Sequence, residues 1–147
     1  MTMKPYVTTF VLSEDIKEMQ NNDNTKVINI WNPLHLIRPP FMPGTYSFAL
    51  SFGIMGIEPH KSHTLGLKIV SPNENDEPLV NIVDSELPPN NQFSGSGLPE
   101  EANGIMFNMD LRNIPFRVEG KYIAKIFFNG VILSEFPFLV YPLETKK

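Results

Sequence analysis

The chain contains no cysteine. That absence excludes disulfides, thiolate catalysis and zinc–thiolate centres. Positive charge is also scarce: twelve Lys and Arg stand against sixteen Asp and Glu, a formal net charge of −4 with a pI near 5.3. The basic footprint of a nucleic-acid binder is therefore missing at the level of the whole chain. No apolar run approaches the ~20 residues that a membrane-spanning helix needs. The opening Met1-Thr2-Met3-Lys4-Pro5 leads into no apolar core of a signal peptide. These absences predict a cytoplasmic protein with neither a membrane nor a nucleic-acid partner. Sustained helical periodicity is missing as well.

What is present is β-structure. Fourteen prolines and nine glycines fall between short apolar runs, as expected for many strands joined by turns. With 147 residues, 41% hydrophobic and 19% charged, one domain spanning 1–147 with a real core is expected.

The strongest local signal lies in residues 120–140, where Asn129-Gly130 splits two β-rich apolar runs. Asn-Gly suits a type I′ turn, which needs φ > 0 at both central residues, so a β-hairpin is predicted. A two-residue turn pairs Phe128 with Val131 and Ile126 with Leu133. Tyr122, Ala124, Ile126 and Phe128, with Val131 and Leu133, then form the core face. Ile123, Lys125 and Phe127, with Ile132 and Ser134, form the wetter face. A bulge near Glu135 is required to turn Phe136, Phe138 and Val140 inward. Gly120-Lys121-Tyr122 matches the turn entering a late strand of immunoglobulin-like sandwiches, where a Tyr hydroxyl anchors the corner.

Earlier in the chain, alternation predicts strands over 6–12, 26–31, 45–54, 64–70, 79–83 and 104–111, which makes about eight with the hairpin. Residues 13–20 read as a helical turn, with Ser13 as cap and Ile16 and Met19 as an i, i+3 apolar pair. Residues 32–44 form a Pro-rich apolar connection expected to pack across one end of the fold. In 45–54, Tyr46, Phe48, Leu50, Phe52 and Ile54 oppose the small residues Ser47, Ala49, Ser51 and Gly53. That small face either admits another surface or lies open. Residues 84–103 are the longest stretch without a strand pattern. An antiparallel two-sheet β-sandwich of immunoglobulin-like, Greek-key type is predicted, with a closed barrel as the runner-up.

The order of these segments, with Asn29-Ile30-Trp31, Pro43-Gly44-Thr45-Tyr46, His63-Thr64-Leu65-Gly66-Leu67 and Gly120-Lys121-Tyr122, resembles an uncharacterised family of small bacterial and phage β-sandwich proteins. The likeness covers most of the chain. It implies the sandwich fold and a bacterial or phage source, and it implies no assigned activity and no site residues.

No catalytic constellation emerges from the residues. Ser94-Gly95-Ser96-Gly97 lacks the strand–turn–helix setting of a nucleophile elbow. His60 and His63 flank Lys61 in a loop and read as surface histidines rather than metal ligands. Asn73, Asn75 and Asp76 lack the carboxylate density of a calcium loop. Arg117, Lys121 and Lys125 near Phe127 are too thin a patch for nucleic acid. No enzyme, cofactor or metal is expected. The surplus apolar material predicts a protein-interaction or assembly module that binds a protein partner or its own copy, with Ile123, Phe127 and Ile132 as the interface. A small-ligand or carbohydrate-binding sandwich using Trp31 is the alternative.

Overall fold

A computed structural model describes residues 5–88 and 98–143. Among these residues are nine strands, one 3-10 turn at Glu100–Ala102 and no α-helix. The strands are β1 (Tyr6–Gln20), β2 (Lys26–Leu34), β3 (Leu36–Ile37), β4 (Gly44–Met55), β5 (His63–Val70), β6 (Val80–Leu87), β7 (Gly104–Phe116), β8 (Gly120–Phe128) and β9 (Val131–Val140). They build two sheets, ordered β2-β1-β4-β7 and β3-β9-β8-β5-β6. All neighbours are antiparallel except β3 and β9. The fold is thus the expected two-sheet sandwich of immunoglobulin-like type rather than a closed barrel.

The core follows from alternation. Phe48, Leu50, Phe52 and Ile54 of β4 are at most 1% exposed and face Leu67, Ile69, Ala124 and Ile126 of the other sheet, all fully buried. Phe10 of β1 stacks on Phe136 of β9 at 4.3 Å and tacks the sheets together. Tyr122 is buried, its ring edge-on to Phe116 at 5.2 Å, and its hydroxyl donates to the Val118 carbonyl at 2.6 Å. The tyrosine corner read from Gly120-Lys121-Tyr122 is present.

The final hairpin carries the expected turn: Asn129 and Gly130 have φ of 52° and 80°. Its bulge sits closer to the turn than expected. Ile126 pairs with Ser134 and Phe127 with Ile132, so Leu133 is the extra residue. Lys125 consequently lies opposite Glu135, 3.8 Å from its carboxylate, instead of opposite Ser134. The earlier bulge keeps Glu135 out of the core and gives it a countercharge, while Phe138 and Val140 turn inward as expected. Val131, expected on the core face, is exposed at the hairpin tip, beyond the reach of the facing sheet.

Residues 13–20 are strand, not helix. Leu12 through Gln20 pair with Leu34 through Lys26. Ile16 and Met19 face Ile30 and Val27 across this ladder. A helix of two turns is too short to hold itself, and the ladder pairs the backbone groups that face β2 instead. Only Tyr6–Ser13 of β1 pairs with β4, so the far half of β1 and most of β2 form a two-stranded arm.

The Pro-rich connection carries the chain from one sheet to the other. Ile37 and Pro39 are buried, and Arg38 donates to the carbonyls of Tyr141 and Pro142 at 3.4 and 2.7 Å, so the segment seals the β9 edge. Its two-residue β3 is the strand missed by the sequence reading. The small face of β4 is closed: Ala49 and Ser51 are fully buried, and the Ser51 hydroxyl has no hydrogen-bond partner among the described residues. Ile16, Glu18 and Ile28 of the arm border a concavity whose other wall is Asn108, Met109 and Asp110. Asn108 and Asp110 are the β7 partners of Ser51 and Ala49, so the arm bends back towards this face.

Candidate functional site

The interface residues expected from the sequence lie on the outer face of the five-stranded sheet. Phe127 and Ile132 are paired across the hairpin; Ile132 is 47% exposed and Phe127 is half-buried. Ile123 lies four residues back along β8, roughly 13 Å away at ~3.3 Å per residue, with Lys125 between. It is half-buried against its partner Pro137 and does not join the other two.

Phe127 instead forms one wall of a hollow that the sequence did not reveal. Gly66 of β5 pairs with Phe127 of β8 and provides the floor. A Cβ at this position would lie 3.0 Å from the Ile82 carbonyl oxygen and 3.2 Å from Phe127 Cβ, so the missing side chain creates the space. The far wall is β6, where a bulge between the partners of Leu65 and Leu67 coincides with Asp84 at φ 51°. That bulge leaves Val83 62% exposed at the rim. The hollow has a volume of about 290 Å³. Lys68 closes one side with its ammonium 5.5 Å from the Phe127 ring centroid. The lining is mostly apolar, with Lys68 and Asp84 as its charged groups.

The hairpin tip is held against β5 beside this hollow. The Asn129 N–H donates to the Thr64 carbonyl at 2.8 Å, and its side-chain oxygen accepts from the Thr64 N–H at 2.9 Å. That arrangement turns the Asn129 amide nitrogen towards His63 Nδ1, at 3.1 Å. The other ring nitrogen, Nε2, lies 2.8 Å from the Glu58 carbonyl, which can only accept, so Nε2 carries the proton. Both nitrogens of His63 are occupied by protein groups. His60 is exposed on the loop before it. Asn73 and Asp76 spend side-chain oxygens on their own turn, accepting from the Asn75 N–H and the Ser71 hydroxyl. Among the described residues no three His, Asp or Glu side chains gather to hold a metal ion. Ser94-Gly95-Ser96-Gly97 lies outside the described residues.

A second concavity, about 390 Å³, opens at the end of the sandwich under the tyrosine corner. Ser71, Asn75, Asp76, Glu77, Arg117 and Tyr122 line it. Burial, reinforced by the Asp76 carboxylate, holds the Tyr122 phenol above its ordinary pKa of 10.0, and the hydrogen bonds to Val118 and Ser71 only partly offset this. Sequence reasoning weighed Arg117 with Lys121 and Lys125 as a basic patch and set it aside as too thin. In the structure it stands among carboxylates instead.

Trp31 is not a core residue. It is 56% exposed on the arm, with Lys17 4.6 Å over its ring. Met19 and Val27, cross-strand partners on the same face, are 54% and 38% exposed. Among the described residues no helix is long and apolar enough to cross a membrane.

The chain belongs to the family of unknown function DUF6941, whose model matches residues 8–141. No curated protein matches it. Among solved structures, it is similar to an immunoglobulin-like protein from Pseudomonas aeruginosa, with 13% identity, a TM-score of 0.46, and coverage of 95% of this chain and 98% of that one. It is also similar to part of an alkylpurine DNA glycosylase from Pseudomonas fluorescens, solved bound to DNA containing an abasic site analog, with 10% identity and a TM-score of 0.48. That alignment covers 92% of this chain but only 30% of the glycosylase. A superoxide reductase from Ignicoccus hospitalis aligns at 12% identity with a TM-score of 0.29, over 90% of this chain and 82% of that one.

Proposed function

We propose that this domain is a non-enzymatic protein-interaction module that takes an apolar side chain of a protein partner into the Gly66 hollow. The observation that carries the reading is the hollow itself: a glycine floor, an aromatic wall at Phe127 and an exposed apolar rim at Val83, with exposed Ile132 on the far side of Phe127. Interfaces draw most of their energy from a few aromatic anchors in pockets that exclude water. Lys68 beside the apolar space favours a partner with an acidic group next to its anchor.

The test uses peptides selected from a random library on the wild-type protein. Phe127→Ser should weaken their binding by about thirtyfold, equivalent to the ~2 kcal/mol of an anchor residue, while the far-UV circular dichroism stays that of the wild type. Ile126→Ser, at a fully buried position on the other face of β8, should unfold the chain instead. If Phe127→Ser unfolds it too, or leaves binding unchanged, the reading fails.

The Arg117 cavity favours a second reading, a small polar ligand held between Arg117 and the Asp76 and Glu77 carboxylates. Arg117→Ala would abolish such binding and would leave the peptides of the first test unaffected.

A further inference from the structure

The two sheets end in four edge strands, and three of them carry features that resist pairing with another chain. β3 is two residues long and is followed by Arg38 and Pro39. β6 is bulged at Val83 and Asp84 and carries acidic Asp84 and Glu86. β7 holds Asp110, a register shift beside Asn113 at φ 54°, and Pro115, and its Asn108–Asp110 stretch borders the arm. β2 differs. Its charge, its left-handed residue and its proline (Lys26, Asn32 at φ 51° and Pro33) stand towards its two ends; between Val27 and Trp31 it has none of these and no bulge, and its outer edge pairs with no strand among the described residues.

The pattern along this edge is nearly palindromic. Lys26-Val27-Ile28-Asn29-Ile30-Trp31-Asn32 reads polar, apolar, apolar, Asn, apolar, apolar, polar in both directions. A two-fold axis through Asn29 would set an antiparallel copy of β2 against this one. Val27 would then meet Trp31 of the second copy, Ile28 would meet Ile30, Asn29 its own counterpart, and Lys26 would meet Asn32. No like charges would oppose each other, and every apolar side chain would have an apolar neighbour across the pair, the condition that stabilises cross-strand contacts. Such an isologous contact closes on itself and stops at two copies.

We infer that the occupant of the β2 edge is a second copy of this chain, paired antiparallel about Asn29 into one continuous eight-stranded sheet. The exposure of Val27 and Trp31 on one face of β2 fits the inference, because each would gain the other, from the second copy, as its lateral neighbour across the pair. The inference does not rest on the Gly66 hollow.

The absence of cysteine makes the test clean. Single cysteines are introduced as Asn29→Cys, Lys26→Cys and Asn108→Cys, and each full-length variant is oxidised. Residue 29 would lie directly beside its counterpart, with Cβ atoms roughly 4.5–5.5 Å apart. Residue 26 would lie six residues from its counterpart, about 20 Å along the strand at ~3.3 Å per residue. Asn29→Cys should cross-link nearly completely, and the other two should remain uncross-linked. Light scattering on the wild type should show a mass rising with concentration from 16.7 kDa to twice that value. Equal cross-linking of all three variants, none in Asn29→Cys, or a mass fixed at 16.7 kDa overturns the proposal.

Discussion

Replacing Gly130 isolates the cost of a left-handed backbone from every steric cost. Gly130 sits at φ 80° in the hairpin turn, and a Cβ built there meets nothing within 4 Å among the described residues. The penalty for a larger residue therefore lies in the backbone itself. Left-handed φ costs an L-residue about 1–2 kcal/mol, and a β-branched side chain moves this towards ~3 kcal/mol. The turn cannot relax at no cost, because Asn129 ties it to Thr64 through two hydrogen bonds of 2.8 and 2.9 Å. Gly130→Ala should thus lose about 1–2 kcal/mol and Gly130→Val rather more. With an m-value near ~2 kcal/mol/M, a loss of 2 kcal/mol lowers the urea midpoint by about 1 M. Equilibrium urea unfolding, with the m-value checked for constancy, provides the measurement. An unchanged midpoint in both variants would refute the strain argument and the type I′ assignment together.

Further outcomes follow from the same geometry. Tyr122→Phe keeps the buried ring but loses the 2.6 Å hydrogen bond to Val118, and should lose about 0.5–1.5 kcal/mol in the same assay; a neutral result would show that the corner hydroxyl is not load-carrying. The raised Tyr122 pKa gives a sign for alkaline pH: the unfolded phenol ionises near 10 while the folded one resists, so stability is intact below pH ~10 and falls as pH rises through the folded value. Tyr46, also raised by burial, contributes in the same direction, so Tyr122→Phe should reduce the alkaline slope without removing it. Zinc should leave the thermal midpoint unchanged, since both His63 nitrogens are taken; a rise abolished by His60→Ala and His63→Ala would contradict that.

Much of the fold was legible because it rests on local signals. Asn129-Gly130 announced its turn through the φ preference of two residues, and Tyr122 its corner through the preceding Gly120. Alternation in 45–54 identified the core of β4. Where pairing decided the outcome, local reading failed. Residues 13–20 look helical in isolation and become strand because β2 lies alongside. The bulge lies at Leu133 rather than near Glu135 and brings Lys125 opposite Glu135, which only the register shows.

The candidate site divides in the same way. That Phe127 and Ile132 share the outer face was legible from the parity of the hairpin. Gly66, Lys68 and Val83 were not, because a hollow arises from three strands side by side and a glycine in one of them. The sole sequence hint was a glycine inside a strand pattern, which marks a close approach or a gap. The place of Trp31 was not legible, because its exposure follows from an arm that extends past the β1–β4 pairing.

The most direct test of the interaction reading is a map of backbone amide shifts as a library-selected peptide is titrated into the labelled protein. Saturable changes centred on Gly66, Lys68, Val83, Phe127 and Ile132 are expected, with Ser71, Asp76 and Arg117 silent. Changes centred on the Arg117 cavity, or spread without saturation over both sheets, would contradict the placement of the interface on the outer face of the five-stranded sheet.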